Sequence, residues 1–259
     1  WAPANYENRY AGDMSLLHAF AVSSNSVAAQ LTQEAGPRAV AAAAVRLGIT
    51  SPLSAVASLA LGTSGVTPLE LTGAYASFAN GGQAAPPYGI LRIRTLSGQL
   101  LYARQPPAPK DVMSPENNAA MTRMMAETVL TGTGKAARLP DRDAAGQTGT
   151  TQEVRDAWFV GFTADLVCGV WAGNDDSTPM LKVTGGGLPA RIFREFMTGA
   201  GQGLAARPLA GMVLASSQLP PEMPEATSPD AAEPIPAAVP QPAKDPASLD
   251  ALIDSLFGG

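Results

Sequence analysis

Two clusters of hydroxyl and amide side chains carry most of the chemistry that this sequence could perform. The first is the polar break Ser23-Ser24-Asn25, between two helical stretches. The second is the run Gln-Thr-Gly-Thr-Thr at residues 147–151, which precedes a segment rich in Phe and Trp. Hydroxyls can pass protons and bind a carboxylate, and a glycine in a strand lets another backbone approach closely. Taken alone, either pattern is also typical of a helix N-cap or a turn.

The composition argues against several other kinds of chemistry. Of the 259 residues, 46% are hydrophobic and only 15% are charged, which is enough apolar material for a folded core. The net charge is −5 and there is no basic run, so nucleic acid is not expected as a partner. With a single histidine, His18, a Ser-His-Asp triad or a His-rich metal site has no support, and we expect no metal.

The elements that must position the two clusters follow from apolar spacing and capping signals. The second cluster falls on a short strand, at the edge of a sheet, to which an extended peptide could add. In the last predicted helix Ile192, Phe193 and Phe196 are expected to face the core. Before it, Gly185-Gly186-Gly187 is predicted to be a tight turn. Helices are predicted for residues 15–20, 27–33, 37–47, 69–80, 114–129 and 188–199, and strands for residues 90–94, 99–102, 145–150, 156–163 and 166–172.

The chain is expected to divide into a folded part, residues 1–203, and a tail, residues 204–259. Nine prolines between positions 220 and 246 interrupt any helix or strand, and alanine and acidic residues fill the gaps. We therefore expect the tail to be disordered over most of its length. At its end Leu249, Leu252, Ile253 and Leu256 have helical spacing, so a short helix can form there, and a helix that short needs a partner surface.

The order of the two clusters makes them more specific. Ser-x-Asn, followed well over a hundred residues later by x-Thr-Gly-Thr, resembles the second and third motifs of serine acyltransferases that bind penicillin. The motifs of that class are Ser-x-x-Lys, Ser-x-Asn and Lys-Thr-Gly. From Trp1 to Gly199 the chain is similar to the C-terminal part of the transpeptidase domain of class A penicillin-binding proteins. The stretches that carry the resemblance are residues 1–7, 59–62, 66–71, 75–82, 132–134, 155–162 and 173–175.

The resemblance implies a fold and a role in the cell wall. The fold would be of the α+β class, a penicillin-binding/serine β-lactamase-like transpeptidase fold, incomplete here, with a helical part and an antiparallel sheet. The activity would be that of a serine D,D-transpeptidase joined to a glycosyltransferase domain, on the periplasmic side of the cell inner membrane. Its partners would be the peptidoglycan stem peptide ending in D-Ala-D-Ala and β-lactam antibiotics. Contact with the membrane would be made only by an anchor outside this chain, and no cofactor is implied.

The resemblance also assigns roles to individual residues. Ser23 would move a proton between the nucleophile and the leaving amine, and Asn25 would hold the substrate amide. The hydroxyls of Thr148 and Thr150 would bind the substrate carboxylate, and the backbone N–H of Thr150 would form half of the oxyanion hole. The remaining candidates are Gln147 in the catalytic group and Gly149 and Thr151 in the substrate-binding group.

Two departures from the family pattern matter. None of the four lysines has a serine three positions before it, so the sequence contains no Ser-x-x-Lys. The resemblance places that motif upstream of Trp1, and we expect this chain alone to be inactive. Gln147 stands where the family has Lys, which keeps a hydrogen-bond donor but removes a positive charge. Arg155 is a candidate for a replacement cation, because it follows the same strand closely.

Two other interpretations remain open. The chain could be a non-catalytic module that binds stem peptide or a cell-wall partner, in which case Gln147 records the loss of catalysis. It could also come from a related D,D-carboxypeptidase or serine β-lactamase, although residues 59–82 resemble the class A synthases more closely. The codons upstream of Trp1 discriminate between the non-catalytic module and the enzyme. A Ser-x-x-Lys there supports the enzyme, and a nearby start codon supports the module.

Overall fold

Helices pack around a small antiparallel sheet in the computed structural model, which describes Pro3, Asn5 and residues 12–212. Residues 1, 2, 4 and 6–11 and the part of the tail from residue 213, on which a short terminal helix was predicted, lie outside the described residues. The helices are α1 Leu16–Ala21, α2 Asn25–Ala35, α3 Pro37–Arg46, α4 Pro68–Ala79, α5 Pro115–Leu130 and α6 Leu188–Ala200. The strands are β1 Arg92–Arg94, β2 Leu100–Ala103, β3 Ala145–Thr150, β4 Asp156–Phe162 and β5 Val167–Gly173.

The sheet that carries the second cluster has the strand order β3-β4-β5, with both pairs antiparallel. Gln147 lies opposite Val160, and Gly149 lies opposite Trp158. Because β3 pairs only with β4 among the described strands, it is an edge strand, as predicted. The other two strands form a separate hairpin, in which β1 pairs with β2. The predicted strand segments are confirmed to within two residues at each end.

Both faces of the sheet are covered by helices. On one face Phe159 of β4 packs on Phe193 of α6, with ring centroids 4.8 Å apart, and both side chains are fully buried. On the other face Phe162 contacts a cluster that includes Phe78 of α4 and Met125 of α5. A central strand that is buried on both faces explains why β4 is a nearly continuous apolar run.

Capping side chains fix where the longer helices begin. Ser114 accepts a hydrogen bond from the backbone N–H of Asn117, and a proline occupies the first turn of α5. α4 begins with a capping box, in which Thr67 accepts from the N–H of Glu70 and the Glu70 carboxylate accepts from the N–H of Thr67. These signals are local in sequence, which is why the starts of α4 and α5 could be predicted within a residue.

The Glu70 carboxylate also ties α4 to the segment that follows α3. It accepts hydrogen bonds from the side chains and backbone N–H groups of Thr50 and Ser51. These bonds, with those from the Thr50 and Ser51 hydroxyls contributing most, hold the pKa of Glu70 well below its usual range. A carboxyl with a lowered folded-state pKa stabilises the fold above its unfolded pKa of about 4.3, and this contribution is lost as the pH falls below that value.

The prediction for the inward face of α6 is wrong for two of its three residues. Phe193 is fully buried, but Ile192 and Phe196 are 43% and 57% exposed. The buried stripe of α6 consists of Pro189, Ala190, Phe193 and Met197. Ile192 and Phe196 lie on a neighbouring apolar stripe that no described residue covers. Both stripes have helical spacing, so periodicity alone could not choose between them.

The two stripes of α6 should differ in their effect on stability. Phe193→Ala is expected to lower the free energy of unfolding by about 3–5 kcal/mol, because it leaves a cavity beside Phe159. Phe196→Ala, on the same helix and with the same change in volume, is expected to cost less than about 1 kcal/mol. Urea denaturation followed by circular dichroism measures both. Equal losses would show that Phe196 is buried after all.

Candidate active site

The two polar clusters meet where the turn between α1 and α2 approaches β3. The side-chain amide of Gln147 donates a hydrogen bond from Nε2 to Oγ of Ser23, at 3.2 Å. The two residues are 124 positions apart in sequence. The contact places the Ser-x-Asn turn directly against the Thr-Gly-Thr strand.

Ser23 reaches β3 because its backbone adopts an unusual conformation. Its φ is 56°, in the left-handed region, which costs about 1–2 kcal/mol for a residue with a side chain. The chain is held there by hydrogen bonds from Ser23 N to Phe20 O and from Ser24 N to Ala19 O, each 2.9 Å long. Strain of this kind collects at functional sites, where the position of one side chain matters more than local stability.

Asn5 holds the start of α2, which carries Asn25 as its first residue. Ser24 occupies the N-cap position, but its side chain makes no capping hydrogen bond. Instead, Oδ1 of Asn5 accepts from the backbone N–H of Ser26 at 3.0 Å, and its Nδ2 donates to Oγ of Ser26 at 3.2 Å. The simple N-cap interpretation of the polar break therefore does not describe this turn. Asn5 had no predicted role, and only its place in the family-like stretch 1–7 could have drawn attention to it.

Thr133 links three elements at the site. Its hydroxyl lies 2.7 Å from the hydroxyl of Thr148 on β3, and its backbone N–H donates to the carbonyl of Ala21 at the end of α1. The neighbouring Gly132 makes this possible, because a Cβ there would lie 2.1 Å from the Ala21 carbonyl oxygen. No role was predicted for Thr133, and its only signal in the sequence was the family-like Gly-Thr-Gly at 132–134.

The glycine turn before α6 packs onto β3. The backbone N–H of Gly185 donates to Oγ1 of Thr150 at 3.0 Å. A Cβ on Gly185 would lie 2.3 Å from the Trp158 carbonyl oxygen and 2.5 Å from that of Gly149, so only glycine fits. The segment is a turn, as predicted, and it also contacts the site. The chain itself thus approaches the Gly149 backbone closely, and the approach of a ligand along the β3 edge stays a prediction.

Two candidate residues are engaged away from the site. The hydroxyl of Thr151 accepts from the backbone N–H of Asp156 at 2.8 Å and closes the turn between β3 and β4. The guanidinium of Arg155 pairs with the Glu153 carboxylate at 2.7 Å and donates to the carbonyl of Ser177. Arg155 therefore does not supply the cation that a lysine at position 147 would have provided.

The candidate residues that meet here are neutral donors. Ser23, Thr148 and Thr150 offer hydroxyls, and the Gln147 amide offers N–H groups. Oε1 of Gln147 is buried and has no hydrogen-bond partner among the described residues. A buried acceptor without a donor costs about 1–3 kcal/mol. Both the strained Ser23 and this amide therefore lower stability at the point where the two clusters meet.

Two substitutions of Ser23 should separate its backbone strain from its hydroxyl. Ser23→Ala and Ser23→Gly both remove the partner of Gln147, but only glycine tolerates a φ of 56° without strain. We expect the glycine variant to be more stable than the alanine variant by about 1–2 kcal/mol. Denaturant titration measures the difference. If the alanine variant were the more stable of the two, the left-handed conformation at Ser23 would be refuted.

Comparison with known proteins places this geometry in a family. The profile of the family described as penicillin binding protein transpeptidase domain matches residues 1–198. Penicillin-binding protein 1A of Aquifex aeolicus is 37% identical over 198 residues, which are 76% of this chain and 27% of that protein. Penicillin-binding protein 1A of Neisseria meningitidis is 36% identical over 205 residues, covering 76% and 26%. The chain thus spans about a quarter of the length of these relatives.

Solved structures agree with the sequence matches. The PonA1 protein from Mycobacterium tuberculosis in complex with penicillin V superposes with a TM-score of 0.72 at 27% identity, over 80% of this chain and 61% of that one. Penicillin-binding protein 1A from Haemophilus influenzae gives a TM-score of 0.71 at 28% identity, over 85% and 38%. The predicted transpeptidase fold is therefore confirmed. The chain belongs to the penicillin-binding protein transpeptidase domain family, and its homologues over this span are penicillin-binding proteins 1A.

Proposed function

We propose that this chain supplies the second and third motifs of a serine D,D-transpeptidase that cross-links peptidoglycan stem peptides. The observation that carries the proposal is the contact between Gln147 and Ser23, which brings the two motifs together across 124 positions. Membership of the transpeptidase family supports it. So does the complex of the related PonA1 protein with penicillin V, since β-lactams imitate the D-Ala-D-Ala end of a stem peptide.

The stem peptide would lie along the free edge of β3. Its carboxylate would be bound by the hydroxyls of Thr148 and Thr150, and its amide by Asn25. Thr150 already accepts a hydrogen bond from Gly185, so its own proton is free to be donated. Thr148 shares a hydrogen bond with Thr133 in which either oxygen can donate. When Thr133 donates, the Thr148 proton is also free to be donated to the ligand. Thr133 would then position Thr148 and would not itself contact the substrate.

The reaction would be acyl transfer in two steps. The serine of a Ser-x-x-Lys motif attacks the carbonyl between the two D-alanines, and the bond to the terminal D-alanine breaks. Ser23 passes a proton to the departing amine, and the N–H of Thr150 stabilises the oxyanion. Because Gln147 donates to Oγ of Ser23, the Ser23 proton remains available for this transfer. An amine of a neighbouring strand then attacks the acyl-enzyme and releases the serine.

The rest of the protein is inferred from the relatives. A membrane anchor, a glycosyltransferase domain and the nucleophile motif would precede Trp1, and the enzyme would act on the periplasmic side of the cell inner membrane. Within this chain, residues 1–203 would belong to the transpeptidase domain and residues 204–259 would form the tail. None of the helices in the described part of the chain is long and apolar enough to cross a membrane.

A second candidate function is favoured by one observation. Gln147 is neutral, Arg155 is paired elsewhere, and a carboxylate site without a cation suits weak binding better than fast turnover. The chain would then belong to a module that binds stem peptide without catalysis. A start codon shortly upstream of Trp1, in place of a Ser-x-x-Lys, would support this second function.

The 259-residue chain should form no covalent adduct with a fluorescent penicillin. No serine in it has a lysine three positions later, so none is activated in the way that the family requires. The measurement is a denaturing gel after incubation, with a penicillin-binding protein 1A that carries the motif as the positive control. A band that survives denaturation would mean that another serine of this chain is the nucleophile.

Gln147→Lys in the full-length protein should increase the rate of acylation by at least about tenfold, equivalent to about 1.4 kcal/mol in the transition state. The new charge would sit beside Ser23 and the substrate carboxylate. The second-order rate constant with a fluorescent penicillin measures the effect. Gln152→Lys, in the exposed turn after β3, is the matched control and should leave the rate unchanged.

The same measurement separates the two functions. An unchanged or lower rate in Gln147→Lys would show that the charge is not what the site lacks. If the unaltered full-length protein is not acylated at all, although a Ser-x-x-Lys is present, the non-catalytic module becomes the better description.

A further inference from the structure

The β1–β2 hairpin presents apolar side chains to solvent that no described residue covers. Leu91 and Leu101 are 59% and 62% exposed, and Leu96 at the tip is fully exposed. Ile93 and Tyr102, which lie opposite each other in the ladder, are also exposed. An exposed apolar patch of this kind on a hairpin favours contact with another segment or protein.

A groove lies between the base of this hairpin and α4. Its volume is about 520 Å³, and one wall includes Leu69, Thr72, Gly73 and Ala76 of α4. The other wall includes Pro87, Tyr88 and Arg104, with the Arg104 guanidinium 3.8 Å above the centre of the Tyr88 ring. We call this site, which these seven residues help to line, the hairpin groove. Its α4 wall is mostly apolar, and Arg104 supplies a cation on the other wall.

The hairpin groove lies in a region of unpaired positive charge. Residues 84–112 contain four basic side chains, Arg92, Arg94, Arg104 and Lys110, against the single acid Asp111. None of the four forms an ion pair within the described part of the chain, although four other arginines do, those at positions 142, 155, 194 and 207. A complementary ligand would therefore combine apolar side chains with negative charge.

The part of the tail beyond Met212 has that combination. Residues 213–259 contain seven acidic residues and one lysine, so this segment carries more negative charge than the net −5 of the whole chain. Near its end the apolar stripe Leu249, Leu252, Ile253 and Leu256 is flanked by Asp250 and Asp254, which are four positions apart and share one side of a helix. In sequence terms it is an acidic amphipathic segment, which is the complement of a basic apolar groove.

The described residues end beside the cluster that α4 shares with α5. Leu209 is buried in the cluster that contains Phe78 of α4, and Gly211 lies against Ala119 of α5. The 35 residues from 213 to 247 would span about 30–35 Å as a flexible chain, whereas α4 is only about 18 Å long. A tether of this length holds the terminal segment at an effective concentration near the millimolar range, so even weak docking would be populated.

We infer that residues 248–259 dock in the hairpin groove of the same chain, with Leu252, Ile253 and Leu256 on the α4 wall and Asp250 or Asp254 at Arg104. The exposed stripe of α6 is a poorer receptor, because Arg191 is the one unpaired cation among the residues of that helix, Arg194 being paired with Glu195, whereas residues 84–112 hold four. Docking would make the groove, at the base of the hairpin, unavailable to other partners until the tail is displaced.

Hydrogen exchange of the 259-residue chain tests this inference. Compared with a chain ending at Met212, peptides from residues 88–104 should exchange at least about fivefold more slowly when the tail is present. Peptides from α3 and α6 should be unaffected. Adding the synthetic peptide 248–259 to the shortened chain should restore the protection, and raising the salt to about 0.5 M should weaken it.

Charge reversal provides matched controls. Arg104→Glu should abolish the protection, while Arg46→Glu, at an exposed position at the end of α3, should preserve it. The double substitution Asp250→Lys and Asp254→Lys should also abolish the protection, and it changes no residue of the folded part. Combined with Arg104→Glu, the two tail substitutions should recover at least part of it.

Three results would overturn the inference. The first is equal exchange of residues 88–104 with and without the tail. The second is protection that survives both Arg104→Glu and the tail substitutions, or that appears on α6 instead. The third is protection that grows with protein concentration, which would assign the docking to the tail of a second copy.

Discussion

The geometry of the candidate site depends on the close approach of the end of α5 to the end of α1. That approach is possible only because Gly132 has no side chain, since a Cβ there would overlap the Ala21 carbonyl. The same contact lets Thr133 donate to Ala21 and place its hydroxyl on Thr148. Ser23 follows Ala21 by two residues, so the position of its hydroxyl opposite Gln147 is fixed by the same constraint.

The costs of this arrangement are local, and the packing that offsets them lies elsewhere. Ser23 is held in a left-handed conformation, and the Gln147 carbonyl is buried without a donor. Each costs on the order of 1–3 kcal/mol. The sheet beneath is packed on both faces, by Phe193 of α6 and by the cluster around Phe162, and each buried aromatic contributes an amount of similar size or larger. A rigid sheet thus supports a site that would not be stable as an isolated turn and strand.

The sequence predicted what depends on neighbouring residues and missed what depends on distant ones. Apolar spacing and capping signals gave helix and strand positions that the structure confirms to within two residues. The side chains of Asn5 and Thr133 contact residues 15 to 21 positions away, and no periodic pattern signals such contacts. In α6 the pattern offered two apolar stripes, and only the tertiary contact with Phe159 decides which one is buried.

For the candidate site residues, too, the sequence predicted some features and missed those that depend on the path of the backbone. The family resemblance paired the segments containing Ser23 and Gln147, and the structure brings these two residues into contact. It could not show that the Thr151 hydroxyl closes a turn, because that depends on where the chain reverses at Asp156. Nor could it show that Arg155 is paired with Glu153, since the two lie in a short turn whose path is set by the strands on either side. Motifs identify residues that share a site, and the backbone path decides which of their side chains face it.

A site built only from amides and hydroxyls binds a carboxylate in a particular way. Ser, Thr, Asn and Gln side chains are uncharged near neutral pH. Their attraction for a carboxylate is therefore short-ranged and depends on hydrogen-bond geometry. A lysine at position 147 would instead act over several ångströms and tolerate small errors of position. Without it, the carboxylate binding that we propose would rest on how accurately Gly185 and Thr133 direct the hydroxyls of Thr150 and Thr148. The two glycines that permit those contacts, Gly132 and Gly185, would therefore matter to the proposed carboxylate recognition alongside the threonines.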